Sequence, residues 1–190
     1  MKRRSFITII PAVISGVRPE LMTGGPAVSE QPSRRPGPTL EVSTVDGVTL
    51  RIHEQKGKVV LVDVMTTGCP TCKVASAGLQ KLYKELGSKG FCPVGVALDV
   101  GTASDLSGYR QQHGITFPLG VAPRDRVVSY LQHSPMKPLM VPTLVFLDRR
   151  GNISAIEVGW RGEEAVRASI LKLLSEGPQR RRILLNKTTY

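Results

Sequence analysis

The order of apolar and polar residues along the chain predicts strands and helices in alternation. Residues 58–65 (KVVLVDVM) form a nearly continuous apolar and β-branched run, which is typical of a strand buried on both faces. Apolar residues then recur at helical spacing from Cys72 to Leu86, and Gly87 and Gly90 follow as stop signals. Residues 91–100 (FCPVGVALDV) predict a second buried strand. The three segments together predict a βαβ unit with parallel strands.

Weaker patterns flank this unit. Before it, two short alternating runs lie on either side of Asp46-Gly47, a pair that favours a tight hairpin turn. After it, residues 103–114 predict a polar surface helix and residues 124–132 a shorter helix. Two antiparallel strands over residues 142–158 and an amphipathic helix over residues 162–176 complete the pattern. The sequence therefore predicts an α/β domain over residues 40–176. Its mixed central sheet is flanked by helices, with an N-terminal hairpin and an insertion between the βαβ and ββα halves.

The two ends of the chain differ from this domain. Residues 1–27 begin with basic residues and continue with an apolar run that is too short for a stable membrane span, which suits a signal peptide or an N-terminal anchor. Arg3-Arg4 followed by Ser5 and Phe6 fits a twin-arginine signal. Residues 28–39 predict a Pro/Gly-rich linker, and residues 177–190 a basic tail. We therefore expect export to the periplasm or another extracytoplasmic space, by a twin-arginine or general secretory signal, and membrane association if the N-terminus is retained.

Charge and cysteine content narrow the classes of function. The net charge is +11, but the basic clusters lie mainly near the chain ends. Only 5% of residues are aromatic and no RNA-binding motif is present, so we expect no nucleic-acid partner. Three cysteines are too few for a disulfide-built scaffold, yet they suit one working pair in an oxidising compartment.

That pair is Cys69 and Cys72, at the predicted junction between strand and helix. The spacing suits a redox pair, half of a metal site, or chance. Residues three apart share a helix face, so the two sulfurs can approach bonding distance. The amides at the helix N-terminus stabilise a thiolate at Cys69, which would attack, and Cys72 would resolve the mixed disulfide. Zinc sites need a second pair of ligands, and the three histidines are scattered, so we expect no metal and no cofactor.

Two motifs together resemble the thioredoxin superfamily. KVVLVDVMTTGCPTCK is similar to its active-site segment, and VPT at 141–143, before LVFLDRRG, is similar to its second signature. The extra element containing YRQQHGITFPL resembles the TlpA/ResA group of extracytoplasmic thiol-disulfide oxidoreductases, of AhpC/TSA type. The resemblance covers about Leu40 to Leu174 and implies a thioredoxin-like fold.

The resemblance also implies roles for individual residues. Cys69 and Cys72 would form the redox-active disulfide, and Pro142 would be a cis-proline facing it. Val141, Pro142 and Thr143 would bind the substrate, with the backbone of Val141 receiving an extended stretch of the partner. Asp63, where thioredoxins carry a buried acid, should have a raised pKa and accept the proton of Cys72, although a strand-edge or hydrogen-bonded structural acid is the alternative.

The chain departs from the family at Gly68, where tryptophan is common, and Lys73 adds a positive charge beside the pair. Cys92 is expected to be a small buried apolar residue, and Trp160 a packing residue near the last helix.

The implied function is reduction of protein disulfides by a monomer that receives electrons from a membrane thiol donor. One alternative is a thiol peroxidase of peroxiredoxin type, because Thr66 lies three residues before Cys69, although Val62 stands where that family has proline. The other is a copper(I) metallochaperone, because Met136 and Met140 lie just before Pro142. Both methionines equally suit gap-filling positions in the core.

Overall fold

The domain is built on one mixed sheet. The structure is a computed structural model that describes residues 35–134 and 136–176. In this part of the chain the strands are β1 (Arg35–Pro36), β2 (Glu41–Thr44), β3 (Thr49–Arg51), β4 (Val59–Met65), β5 (Phe91–Ala97), β6 (Leu119–Val121), β7 (Thr143–Leu147) and β8 (Asn152–Val158). The α-helices are α1 (Pro70–Leu86), α2 (Ser107–Gln112), α3 (Arg124–Leu131) and α4 (Glu163–Ser175), and 3₁₀ turns cover Ile52–Glu54, Gly87–Lys89 and Ala103–Leu106. The predicted signal or anchor (1–27) and the predicted tail (177–190) lie outside the described residues.

Strand β4 lies near the middle of the sheet, whose order is β1-β8-β7-β4-β5-β6-β2-β3. It pairs in parallel with β5, and α1 connects the two strands, which confirms the predicted βαβ unit. On its other side β4 pairs antiparallel with β7, the first strand of the β7–β8 hairpin. The β2–β3 hairpin closes the far edge. The predicted mixed sheet with an N-terminal hairpin is therefore confirmed.

The side chains of β4 alternate between two apolar layers. All seven residues of the strand are buried, as its continuous apolar run predicts. Val59, Leu61 and Met65 belong to the layer packed by α1 and α4, whereas Val60, Val62 and Val64 belong to the layer packed by α3. Because successive strand residues point to opposite faces, Asp63 points toward α1. An ionisable side chain therefore enters the apolar layer beneath that helix.

Helix α1 starts where the cysteine pair lies. It begins at Pro70, earlier than the apolar pattern indicates, because proline is preorganised for the first helical turn and gives up no needed hydrogen bond there. Ala75, Leu79, Leu82 and Leu86 are fully buried against the sheet. Val74, another apolar residue of this helix, is 58% exposed. Val74 lies about 100° around the helix from Ala75, outside the face that packs on the sheet.

Two further segments differ from the sequence prediction. The stretch 103–114, predicted as a polar surface helix, contains Leu106 and Tyr109, which are 0% and 8% exposed. Strand β6, which follows it, was not predicted, because its three residues show too little alternation and no hairpin turn pair such as Asp46-Gly47 marks it. Within the predicted linker 28–39, β1 pairs with β8, so the sheet starts before residue 40. Among the described residues, no helix combines the length and the apolar character that a membrane crossing requires.

The indole of Trp160 lies against Gly78 of α1. A Cβ placed on Gly78 would lie only 2.4 Å from Cζ2 of Trp160. We therefore expect Gly78→Ala to displace the indole and so to shift its fluorescence emission. The shift can be assigned to Trp160 because the chain has a single tryptophan. Gly108→Ala in α2 is the matched control, since its Cβ would meet nothing within 4 Å. It should leave emission unchanged and stabilise the helix by up to about 1 kcal/mol. Unchanged emission in both variants would contradict the contact.

Candidate redox site

Cys69 caps the N-terminus of α1, and Cys72 lies in its first turn. The backbone N–H of Cys72 donates a hydrogen bond to Sγ of Cys69 at 3.2 Å. Cys69 is partly exposed, whereas Cys72 is 0% exposed, and both are thiols in the structure. The positive end of the α1 dipole therefore lies next to the Cys69 sulfur. The geometry therefore makes Cys69 the accessible sulfur and Cys72 the buried one.

A carboxylate holds the loop that leads into the cysteine pair. The backbone N–H and the hydroxyl of Thr67 both donate to Oδ2 of Asp99, at 2.8 and 2.6 Å. The N–H of Cys69 donates to the Thr66 carbonyl at 3.3 Å, which tightens the same turn. The sequence analysis did not single out Asp99. Its position just after β5 is a usable signal, because the carboxyl ends of parallel strands meet at one edge of a sheet.

The predicted substrate loop lies beside Cys69. The Val141–Pro142 peptide bond is cis, as the resemblance implied. The thiol of Cys69 donates to the Val141 carbonyl, with 3.9 Å between Sγ and the oxygen. Thr143 is only 2% exposed, and its hydroxyl donates to the Met140 carbonyl at 2.6 Å. The side chain of Thr143 therefore fixes the loop, and the Val141 backbone is the part of it that contacts Cys69.

Asp63 lies on the sheet beneath Cys72. Its side chain is 0% exposed, and neither carboxyl oxygen has a hydrogen-bond partner among the described residues. Loss of solvation raises the pKa of this carboxyl from 3.8 to about 7. At neutral pH, Asp63 can therefore both hold and release a proton.

Cys72 remains a protonated thiol at neutral pH. Burial is the main cause that raises its pKa from 9.0 to about 12, and the hydrogen bond with Cys69 is the second. The negative charges of Cys69 and Asp63 act in the same direction, whereas a backbone hydrogen bond with Thr66 opposes them. A base must therefore take the proton of Cys72 before its sulfur can attack.

Two hydroxyl groups lie in the same buried layer. The Ser76 hydroxyl is 3.3 Å from the Tyr109 hydroxyl, and it also donates to Sδ of Met65 at 3.9 Å. Burial raises the pKa of Tyr109, so its phenol stays protonated. The sequence analysis missed both residues. Ser76 follows Cys72 by four positions and so shares its helix face, which is a signal available in the sequence.

Several other candidate residues lie outside this site. Cys92 is buried in the opposite apolar layer, where its thiol donates to the Pro93 carbonyl at 3.8 Å. Met136 and Met140 are 90% and 58% exposed, so the interpretation of both as core residues is wrong. Within residues 35–134 and 136–176, no three His, Cys, Asp or Glu side chains are grouped to hold a metal ion.

Comparison with known proteins identifies relatives. The thiol-disulfide oxidoreductase ResA of Oceanobacillus iheyensis is 30% identical over 115 residues, which are 60% of this chain and 57% of that protein. The thioredoxin-like protein YneN of Bacillus subtilis is 27% identical over 129 residues, 64% of this chain and 69% of YneN. The match to the first of these relatives thus spans little more than half of its length.

Solved structures agree with the fold. The crystal structure of a thiol:disulfide interchange protein of the thioredoxin family from Chlorobium tepidum superposes with a TM-score of 0.66 and 26% identity, covering 74% of this chain and 97% of that one. The fold is therefore thioredoxin-like, as predicted. The family profile of AhpC/TSA matches residues 34–156, a segment that includes the cysteine pair, Asp63 and the Val141–Pro142 loop. The chain belongs to the AhpC/TSA family.

Proposed function

We propose that the chain is a thiol-disulfide oxidoreductase that reduces disulfides of other proteins through Cys69 and Cys72. The observation that carries this proposal is the position of the Cys69 sulfur. This sulfur accepts a hydrogen bond from the backbone N–H of Cys72 at 3.2 Å, and it lies 3.9 Å from the carbonyl oxygen of Val141. An accessible sulfur that accepts an amide hydrogen bond beside a backbone carbonyl suits attack on a cysteine held in an extended chain. The similarity to a thiol-disulfide oxidoreductase and to a thiol:disulfide interchange protein supports the same activity.

The reaction transfers two electrons from the protein to its substrate. The Cys69 thiolate attacks one sulfur of the substrate disulfide, and the other substrate sulfur leaves as a thiolate that takes a proton. A mixed disulfide then joins Cys69 to the substrate. Cys72 loses its proton and attacks the Cys69 sulfur, which releases the second substrate thiolate. The protein ends with a Cys69–Cys72 disulfide, and the substrate has two thiols.

Asp63 is the base that we assign to the second step. Its carboxyl is buried on the side of the sheet that α1 covers, and its charge acts on the pKa of Cys72. A pKa of about 7 lets the ionised form accept a proton at neutral pH. The proton of Cys72 therefore has an acceptor inside the buried layer beneath α1.

The cycle needs a compartment and an electron donor. The basic start and apolar run of residues 1–27 favour export, to a place where substrate disulfides persist. The oxidised pair must then be reduced again, and a membrane thiol donor is the partner proposed for that step. We propose that the exported protein acts as a monomer.

Insulin serves as a general protein disulfide to test this proposal. The fully reduced chain, freed of small thiols, should reduce one insulin disulfide per molecule and then stop, because no donor regenerates it. Thiol titration and mass spectrometry of both proteins give the stoichiometry. Hydrogen peroxide consumption without insulin reduction would contradict the proposal and favour the thiol peroxidase.

A further inference from the structure

A groove of about 370 Å³ runs along the outer face of α1, next to the redox pair. Its floor is formed by Val74, Ala77 and Gly78 of α1 and by the indole of Trp160. Lys73, Lys81 and Glu163 form its polar rim. These residues define what we call the α1 groove, which none of the roles assigned above uses.

The floor of the α1 groove is apolar and open to solvent. Val74, the fifth residue of α1, is 58% exposed. The side chain of Trp160 packs directly on Gly78, where any Cβ would displace it. A concave surface of valine, alanine, glycine and tryptophan offers an apolar side chain a place to be buried. Tryptophan is enriched among the residues that carry binding energy at protein interfaces.

The rim of the α1 groove is positive at the end nearest the cysteines. The Lys81 ammonium is paired with Glu163 at 3.2 Å. In the part of the chain that the structure describes, the Lys73 ammonium has no ion-pair partner, and Lys73 directly follows Cys72. An approaching carboxylate therefore finds an available cation beside the redox pair, whereas a basic segment would be repelled.

The α1 groove is continuous with the site of disulfide exchange. The Lys73 amide donates to the Cys69 carbonyl at 3.2 Å, so the rim starts on the turn that carries the reactive sulfur. A polypeptide joined to Cys69 through its own cysteine can therefore reach the groove with neighbouring residues. The chain's own tail fits less well, because residues 180–182 are three arginines.

We propose that the α1 groove docks a segment of the substrate protein in which an apolar side chain lies next to a carboxylate, close to the cysteine that Cys69 attacks. This inference rests on the proposed function. The apolar side chain is buried against Val74 and Trp160, and the carboxylate pairs with Lys73. The groove thus selects among protein disulfides that the cysteine pair alone would treat alike.

The test compares peptide disulfides with bis(2-hydroxyethyl) disulfide, which is too small to reach the groove. The peptides place a Leu-Glu pair at successive distances from the cysteine, with Leu-Lys and Ser-Glu versions as references. For each protein, kcat/KM with a peptide is divided by kcat/KM with the small disulfide. The protein variants are Val74→Asp and Lys73→Glu. Their matched controls are Val48→Asp, at a valine 60% exposed in the β2–β3 hairpin, and Lys84→Glu, elsewhere on α1.

We expect the natural chain to prefer the Leu-Glu peptides at one distance from the cysteine. Val74→Asp should lower the ratio of kcat/KM for that peptide to kcat/KM for the small disulfide by about fivefold to tenfold. Lys73→Glu should move the preference from Leu-Glu to Leu-Lys, while both controls keep the ratio within about twofold. Equal ratios for all peptides and variants, with the small disulfide still reduced, would overturn the docking proposal alone. Failure to reduce either class of disulfide would overturn the proposed function and the docking with it.

Other occupants of the α1 groove have their own signatures. A chain ending at Glu176 should keep the ratio of the full chain. If the shortened chain instead showed a severalfold higher ratio, and the shortened chain with Val74→Asp did not, residues 177–190 would be the occupant of the groove. That result would overturn the proposal. A dimer in sedimentation that Val74→Asp dissociates would assign it to a second copy, with the same consequence.

Discussion

Cys69→Ser should abolish reduction of protein disulfides, with a loss of rate of roughly 1000-fold or more. A serine hydroxyl at the start of α1 cannot replace a thiolate as nucleophile toward a disulfide. Cys72→Ser should behave differently, because Cys69 still attacks but nothing resolves the mixed disulfide. That variant should accumulate a covalent complex with its substrate. The measurement is insulin reduction for both variants, with non-reducing electrophoresis to detect the complex.

Cys92→Ala is the matched control for these two variants. Cys92 is buried at 8% exposure in the layer on the other face of the sheet. Its loss should leave the rate within about twofold of the natural chain. If Cys69→Ser retained activity while Cys92→Ala lost it, the assignment of the redox pair would be wrong.

Asp63→Asn should slow resolution of the mixed disulfide by about 100-fold. The amide keeps the shape of the carboxyl but cannot accept the proton of Cys72. In the natural chain the resolution rate should rise with pH through about 7, where the Asp63 carboxyl ionises. The variant should lack this rise. Single-turnover kinetics with a preformed mixed disulfide give both rates directly.

The same substitution should change how stability depends on pH. The folded chain keeps a proton on Asp63 between about pH 4 and 7, whereas the unfolded chain has already released it, since the pKa falls from about 7 to 3.8 on unfolding. The free energy of unfolding of the natural chain therefore decreases as pH rises through this window. Asp63→Asn removes that decrease.

The difference in unfolding free energy should consequently grow in favour of Asp63→Asn by about 4 kcal/mol in total, from pH values below the unfolded pKa of 3.8 to values above the folded pKa of about 7, and stay constant at higher pH. Urea unfolding of both proteins at a series of pH values measures it, and the contributions of all other groups cancel. Parallel stability profiles for the two proteins would show that Asp63 titrates normally. That result would remove it from the proposed mechanism.

Most of the fold prediction rests on long segments with a regular pattern of apolar residues. The apolar run of β4, the helical spacing of α1 and the β7–β8 hairpin follow from local periodicity alone, and the structure has all three. Short strands escaped detection, since β1 and β6 have two and three residues and form only because neighbouring strands supply hydrogen-bonding partners. Burial of Tyr109 depends on α1 and the sheet closing over it, which its own polar segment does not reveal.

The candidate site was predictable in its cysteines and less so in their surroundings. Cys69, Cys72 and Asp63 follow from a motif and from one acid in an apolar strand. Asp99 was missed because its role depends on the contact between two loops that are 32 residues apart. The exposure of Val74 depends on which side of α1 faces the sheet. Such errors lie in side-chain direction and not in the identity of the elements.

The most direct test of the account is redox equilibration of the chain in dithiothreitol and glutathione buffers, followed by alkylation and mass spectrometry of each cysteine. We predict that Cys69 and Cys72 lose their alkylation together in one two-electron transition. Its potential should lie nearer to the value of thioredoxin, about −270 mV, than to that of a strong oxidant, about −120 mV. If both cysteines stay alkylated under all conditions, or change independently of each other, they form no disulfide and the account is contradicted.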